Sequence, residues 1–335
     1  MLGLDGIVKG NAKQAAIKVL TNNPIGRFAI NHVGETYLAG HSINEGIETV
    51  RKYHSMGLMS SVDVLGEASS TTREADTYSA HNLAILSTLK SSFPGYIPST
   101  LSFKASGICV ANEQNGVMVF SPETPLSARV TDLSEDAYEK GINLTIDMED
   151  HRFTNATLIA ARYAWAQGYT NLGIVLQTSL ERTKEDLREA INATHGELRV
   201  RLVRGIYNEP ESIATKDKEE AKNRIVLRAC ELVLAGGYAE IATHDERVIY
   251  DFIEKVAIPH NIPSHKYEFQ FLKGVPVANK LARELLNTGH IVRFYMPIET
   301  QAGSAAKYIG RRLEENPGIL AYGIKNLRDT VLGRS

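Results

Sequence analysis

Residues 142–177 read INLTIDMEDHRFTNATLIAARYAWAQGYTNLGIVLQ. A β-rich run at 142–147 ends on Asp147, a helical pattern carrying Trp165 and Tyr169 follows, and a second β-rich run at 172–177 closes on Gln177. Two strands separated by one helix and two loops form a parallel βα unit, because parallel strands need a crossover rather than a tight turn. Moving outward, the unit recurs. β-rich runs lie at 60–65, 100–105, 198–203, 238–242, 266–271 and 290–295. Eight units over about 250 residues are the size of a (β/α)₈ barrel, so the chain is predicted to be a TIM-type barrel of class α/β.

Residues 1–57 precede the first strand and contain helical patterns, among them an amphipathic stretch at Ile43–Tyr53 that Ser42 or Asn44 can cap. The expected organisation is an N-terminal helical segment at 1–57 packed on a catalytic barrel at 58–335.

The bulk numbers narrow the function classes. The chain has 335 residues, 43% of them hydrophobic and 23% charged, with a formal charge of -2, which gives no electrostatic case for nucleic acid. Cys109 and Cys230 are too few for a disulfide scaffold or a four-thiolate metal site and suit a reducing cytoplasm. No apolar run approaches a membrane span, and the start, Met-Leu-Gly-Leu-Asp, lacks the basic and apolar order of a secretory signal.

Barrels of this type carry their active sites at the C-terminal ends of the strands. The residues there are Glu67, Lys104, Asp147, Gln177, Arg204, His244, Gln270 and Tyr295, nearly one reactive or hydrogen-bonding group per strand. Lys104 suits two tasks, a desolvated Schiff-base amine or a charged partner for a substrate carboxylate. Asp147, Glu149, Asp150 and His151 form a compact acidic cluster, but the spacing fits no zinc motif, and helix-entry acids plus a surface His account for it better. There is no glycine-rich dinucleotide turn, no Walker loop and no nucleophile elbow. Near the C-terminus, Tyr308-Ile-Gly-Arg311-Arg312-Leu-Glu-Glu315 places an aromatic ring three and four positions before two guanidinium groups. On a helix these share one surface and read either as an anion clamp or as a solvated face with an Arg311–Glu315 pair.

Together the strand-end segments resemble the proline dehydrogenase family, and in particular its short monofunctional bacterial members. The segments are Asp63-Val-Leu-Gly-Glu67, Phe103-Lys104, Asp147-Met-Glu-Asp150, Gly173-Ile-Val-Leu-Gln177, Arg201-Leu-Val-Arg-Gly-Ile-Tyr207, Ala242-Thr-His244-Asp245, Glu268-Phe-Gln270-Phe-Leu272 and Tyr308-x-x-Arg311-Arg312, in family order. The resemblance implies a distorted barrel with its last helix over the strand ends, noncovalent FAD, and oxidation of L-proline to Δ1-pyrroline-5-carboxylate by hydride transfer from C5 to flavin N5. It puts Gln177, Arg201, Val203, Arg204, Gly205, Tyr207, Thr243, His244, Gln270 and Glu315 beside the flavin. Lys104, Asp147, Leu272, Tyr295, Tyr308, Arg311 and Arg312 fall in the substrate pocket, and no metal is implied.

The family's usual acceptor, a membrane quinone, implies a cytoplasmic protein with peripheral contact at the inner face of the membrane, and a pyrroline-5-carboxylate dehydrogenase would act downstream. The chain departs from the family at Ile206, where Ala is frequent, at Arg204 and Asp245, and across Pro297-Ile-Glu-Thr-Gln-Ala-Gly303. Those departures bear on which ring is accepted, so oxidation of another proline-like cyclic amino acid is a second reading. A metal- or lysine-dependent barrel lyase and a proline-sensing flavoprotein are further alternatives.

Overall fold

The structure is a computed structural model that describes residues 34–301 and 304–305. Helix α1 (Ile43–His54) begins at Ser42, the first of the two expected caps, whose hydroxyl accepts from Glu45 N at 3.3 Å. Its apolar side, Ile47 and Val50, packs on β1 (Met59–Val64), and Tyr53 meets Phe294 edge-on with ring centroids 5.1 Å apart.

The remaining elements, in order, are α2 (Thr72–Ser92), β2 (Ser99–Lys104), a single turn α3 (Ala105–Ile108), β3 (Ala111–Gln114), β4 (Val117–Phe120), α4 (Leu126–Lys140), β5 (Leu144–Asp147), α5 (His151–Ala166), β6 (Leu172–Gln177), α6 (Thr183–Ala193), β7 (Arg199–Val203), α7 (Lys218–Leu234), β8 (Tyr238–Ala242), α8 (Glu246–Phe252), β9 (Tyr267–Leu272), α9 (Pro276–Asn287) and β10 (Val292–Ile298). Eight strands close a barrel in the order β1-β10-β9-β8-β7-β6-β5-β2, each pair parallel. All eight coincide with the β-rich runs, with boundaries displaced by three residues at most.

One element was not expected. β3 and β4 form an antiparallel hairpin outside the barrel, turning at Asn115-Gly116, which have φ of 51° and 77°. Positive φ at both central residues is what a two-residue hairpin of matching twist requires, and Asn-Gly supplies it at little strain. Phe120 turns inward to Phe153 of α5, with centroids 6.1 Å apart, and fastens the hairpin to the helical layer.

The strands alternate between two environments. Their outward side chains, including Leu101, Phe103, Leu144, Ile146, Ile174, Leu202, Ile241, Phe269, Phe271 and Phe294, are buried under the helices and make the hydrophobic core. Inside the barrel, where branched apolar residues normally stack, Ser61, Asp63, Ser102, Lys104, Asp147, Arg201, Glu240, Glu268, Gln270, Arg293 and Tyr295 meet one another instead. Among the described residues, no helix is long and apolar enough to cross a membrane.

Candidate active site

β1, β2 and β5 carry three charges to one end of the barrel. Asp63 is fully buried, and Lys104 Nζ lies 3.1 Å from both of its carboxylate oxygens and 3.6 Å from Asp147 Oδ2. Burial alone would strip the ammonium of its proton, but the Asp63 and Asp147 carboxylates outweigh it and hold the Lys104 pKa well above the ordinary value. A Schiff-base lysine must be neutral to attack, so this geometry supports the charged role of Lys104 and not the nucleophilic one. Asp63 responds in the same sense: burial, reinforced by nearby Asp147, pushes its carboxyl up to about 6 against the pull of Lys104. The pair as a whole is reluctant to release protons.

Asp147 is the hub. Its Oδ1 accepts from Arg201 Nη1 at 2.7 Å and its Oδ2 from the Tyr295 hydroxyl at 2.6 Å. Burial, with the Asp147 and Asp63 carboxylates beside it, raises the Tyr295 phenol well above its usual range and keeps it a donor. Arg201, 4% exposed, rises from β7 into the barrel centre and donates from Nε to Gln270 Oε1 at 2.7 Å. Its Nη2 reaches Ser61 Oγ at 3.0 Å and Ser102 Oγ at 2.9 Å. A guanidinium in a closed barrel needs this many acceptors, since an unpaired buried charge is strongly destabilising. Its carbon also lies 5.3 Å from the Tyr295 ring centroid.

Behind this cluster the Tyr78 ring fills a slot between two glycines. A Cβ at Gly66 would come within 2.4 Å of the ring, and one at Gly107 within 2.5 Å. The Tyr78 hydroxyl accepts from Lys104 N at 3.3 Å, so the ring braces the backbone from which the lysine projects.

On the opposite side of the barrel mouth, the ends of β6, β7, β8 and β9 are polar and less crowded. Gln177 donates to Glu149 O at 2.8 Å, and His244 Nε2 accepts from Leu272 N at 3.1 Å, which puts a ring proton on Nδ1 of the neutral form. Gly205 has φ of 99°, and a Cβ there would lie 2.6 Å from Ser179 Oγ and 3.1 Å from Gln177 Oε1. Val203, Arg204, Tyr207 and Thr243, at or just past the ends of β7 and β8, are all half-buried. Uncharged donors and acceptors together with one buried guanidinium fit a flat heterocyclic cofactor.

A family model described as proline dehydrogenase matches residues 46–321. The chain belongs to the proline dehydrogenase family. It is 29% identical over 291 residues to proline dehydrogenase 1 of Bacillus subtilis, covering 87% of this chain and 89% of that one. It is 27% identical over 299 residues to the Deinococcus radiodurans proline dehydrogenase, covering 88% and 90%. The bifunctional protein PutA of Escherichia coli matches at 24% over 332 residues, but only 25% of its length is covered, so the likeness is to the monofunctional type. In structure the chain is similar to proline utilization A of Bdellovibrio bacteriovorus inactivated by N-propargylglycine, with a TM-score of 0.76, 22% identity, and coverage of 85% of this chain and 32% of that one. That likeness extends the family assignment to the barrel fold.

Of the residues that the proline dehydrogenase resemblance singled out, Lys104, Asp147, Arg201 and Tyr295 form one connected cluster, with Leu272 at the end of β9 beside it. Gln270, 4% exposed within β9, has its amide engaged by Arg201, Glu240 and Glu268. The acidic cluster disperses. Asp147 serves Arg201, Glu149 accepts from Ser106 N and Oγ, Asp150 caps α5, and His151 pairs with Glu209. Tyr308, Arg311, Arg312 and Glu315 lie outside the described residues.

Asp63, Ser61, Ser102, Glu240, Glu268 and Arg293 were missed as parts of the site. Their signal was available: polar residues at alternate positions in strands that must be buried on both faces.

Proposed function

We propose that this member of the proline dehydrogenase family binds FAD noncovalently at the ends of β6–β9 and oxidises L-proline to Δ1-pyrroline-5-carboxylate. The observation that carries the reading is the Lys104 ammonium, held in its charged state by buried Asp63 at the mouth of the barrel. A carboxylate entering such a pocket loses its water, and a fixed, desolvated cation offsets that loss. By resemblance to the family, Arg311 and Arg312 would join Lys104 on the same carboxylate and Tyr308 would border the ring.

Asp147 holds Arg201 and Tyr295 in register, so that the phenol ring and Leu272 can border the proline ring while its carboxylate is pinned. In the reaction the substrate's C5–H bond breaks with its electron pair, the ring nitrogen gives up its proton, and a C=N bond forms. A bound flavin supplies the acceptor for the hydride. Gln177, Arg201, Val203, Arg204, Gly205, Tyr207, Thr243 and His244 would hold that flavin, with Glu315, and Arg201 would favour negative charge on its reduced ring. Gln270 would act on it through Arg201. A quinone or a similar acceptor at the membrane surface would reoxidise the cofactor, and a dehydrogenase acting on the product would follow.

The test is to load the purified protein with FAD and add substrate without oxygen. Yellow protein that bleaches with L-proline supports the reading, and a panel including hydroxyproline and other cyclic imino acids ranks the rings. Protein that stays colourless with FAD, or yellow protein that proline does not bleach, would overturn it.

A further inference from the structure

Below Asp147 the barrel interior continues as a chain of hydrogen-bonded polar groups, which the proposed chemistry leaves without a task. Gln270 Oε1 accepts from Arg201 Nε at 2.7 Å, while its Nε2 donates to Glu240 Oε2 at 2.8 Å and Glu268 Oε1 at 2.6 Å. Only this orientation of the amide satisfies all three neighbours, because two carboxylates demand the NH₂ and a guanidinium demands the oxygen. Each carboxylate is locked from its far side. Glu240 Oε1 takes Arg199 Nη2 at 2.5 Å. Glu268 takes Arg293 Nε at 2.5 Å and Nη2 at 2.9 Å, and also the Tyr238 hydroxyl at 2.8 Å. Burial would raise the Glu268 carboxyl, but Arg293 overcomes it and holds the pKa down to about 2, so this end of the chain stays charged.

Glu240 occupies the sensitive position. Its Oε2 lies 3.6 Å from Arg201 Nε and within hydrogen-bond distance of Gln270, so it acts on the guanidinium both through space and through the amide. We propose that Glu240, acting through Gln270, is a positioning residue that fixes the Arg201 guanidinium on Asp147 and sets the charge that the barrel mouth presents to its cofactor. The cofactor part rests on the flavin reading above. The structural part does not.

Glu240→Gln tests it. The new NH₂ faces the NH₂ of Gln270, two donors in contact. Gln270 cannot relieve this by turning over, because its oxygen would then face the Glu268 carboxylate; it must shift away from residue 240, which draws its oxygen off Arg201 and loosens the guanidinium. A crystal structure of the variant, with or without cofactor, is expected to show Gln270 shifted away from residue 240 and Arg201 displaced from its 2.7 Å contact with Asp147. An Arg201 unmoved in that structure would overturn the proposal.

In FAD-loaded protein the midpoint potential of the flavin is the second readout. Losing one negative charge next to Arg201 is expected to shift it in the positive direction. Gln270→Met, which removes the oxygen facing Arg201 at constant charge, is expected to shift it the same way by less, and Glu240→Asp to restore most of the wild-type value. A shift in Glu240→Gln with none in Gln270→Met would mean that the carboxylate acts without the amide, and this too would overturn the proposal. Should Glu240→Gln not fold, Gln270→Met decides by the same two measurements. Wild-type protein that fails to bind or bleach with proline would defeat the functional reading alone, leaving the crystallographic test intact.

Discussion

Replacing Lys104 by Met removes the cation from the buried pair but keeps the length of the side chain. Asp63 is then a fully buried carboxyl without its ion-pair partner. With Lys104 present its pKa is about 6; without it, the value moves higher, because burial and Asp147 continue to raise it and the main opposing charge has gone. In the folded variant Asp63 therefore stays protonated through neutral pH, whereas in the unfolded chain it ionises near 3.8. Unfolding of the variant therefore releases this proton as long as the pH lies below the raised value, whereas from about pH 7 upward unfolding of the wild type releases almost none from this group. The sign follows: relative to wild type, the variant loses stability as pH rises, by about 1.4 kcal/mol per pH unit. The folded Lys104 keeps its proton over this window, so it adds no slope of its own in the wild type. Urea unfolding of both proteins at half-unit steps from pH 6.5 to 9 measures the difference. A difference in unfolding free energy that stays flat over that range would refute the account of Asp63. Proline turnover should fall by about 2–5 kcal/mol in kcat/KM, the usual loss when one member of a buried charge pair is removed.

Further outcomes are expected. Tyr295→Phe removes the 2.6 Å donor to Asp147 and should lower kcat/KM for proline by roughly 5- to 150-fold, about 1–3 kcal/mol, with little change in melting temperature. Gly205→Ala forces a side chain to positive φ against Ser179 and should cost about 1–3 kcal/mol, read by thermal unfolding, together with lower flavin content after purification. His41 is held between Glu35 and Glu299 at 2.8 Å each, and hydrogen bonds to those carboxylates, Glu35 first, raise its pKa. The stability it contributes is fully present below about 6.5 and is lost as pH rises through the raised value. His41→Gln should therefore melt below wild type at pH 6 and level with it at pH 9. Arg311→Met or Arg312→Met should weaken proline use by about 2–5 kcal/mol, and steady-state kinetics with unchanged kcat/KM would remove those residues from the clamp.

The barrel strands were legible because each is a short β-rich run followed by a helical period, a pattern that survives errors of a few residues at either end. The hairpin was passed over because β3 and β4 are four residues each and lie within one βα period, although Glu113-Gln114-Asn115-Gly116-Val117 carries the Asn-Gly signal. Within the site, residues that end a strand, such as Lys104 and Asp147, stood out by position. Their partners did not. Asp63 and Glu240 lie within strands, and which side chains meet across a closed barrel depends on stagger between strands far apart in sequence: Arg201 reaches Ser61 across 140 positions.

The paired charges inside the barrel also bear on how the molecule assembles. Arg201 stands on β7 and draws its acceptors from β5, β9, β1 and β2, while Arg293 on β10 needs Glu268 on β9 and a carbonyl on β1. An intermediate lacking one of these strands cannot withdraw the guanidinium from water without penalty, because its counterpart is absent. Closure of the last strand against the first brings the Ser60 carbonyl to Arg293 and completes its set of acceptors. Strand order and charge balance thus enforce one cooperative closure, in which fragments cut between β5 and β7 should refold only when both are present.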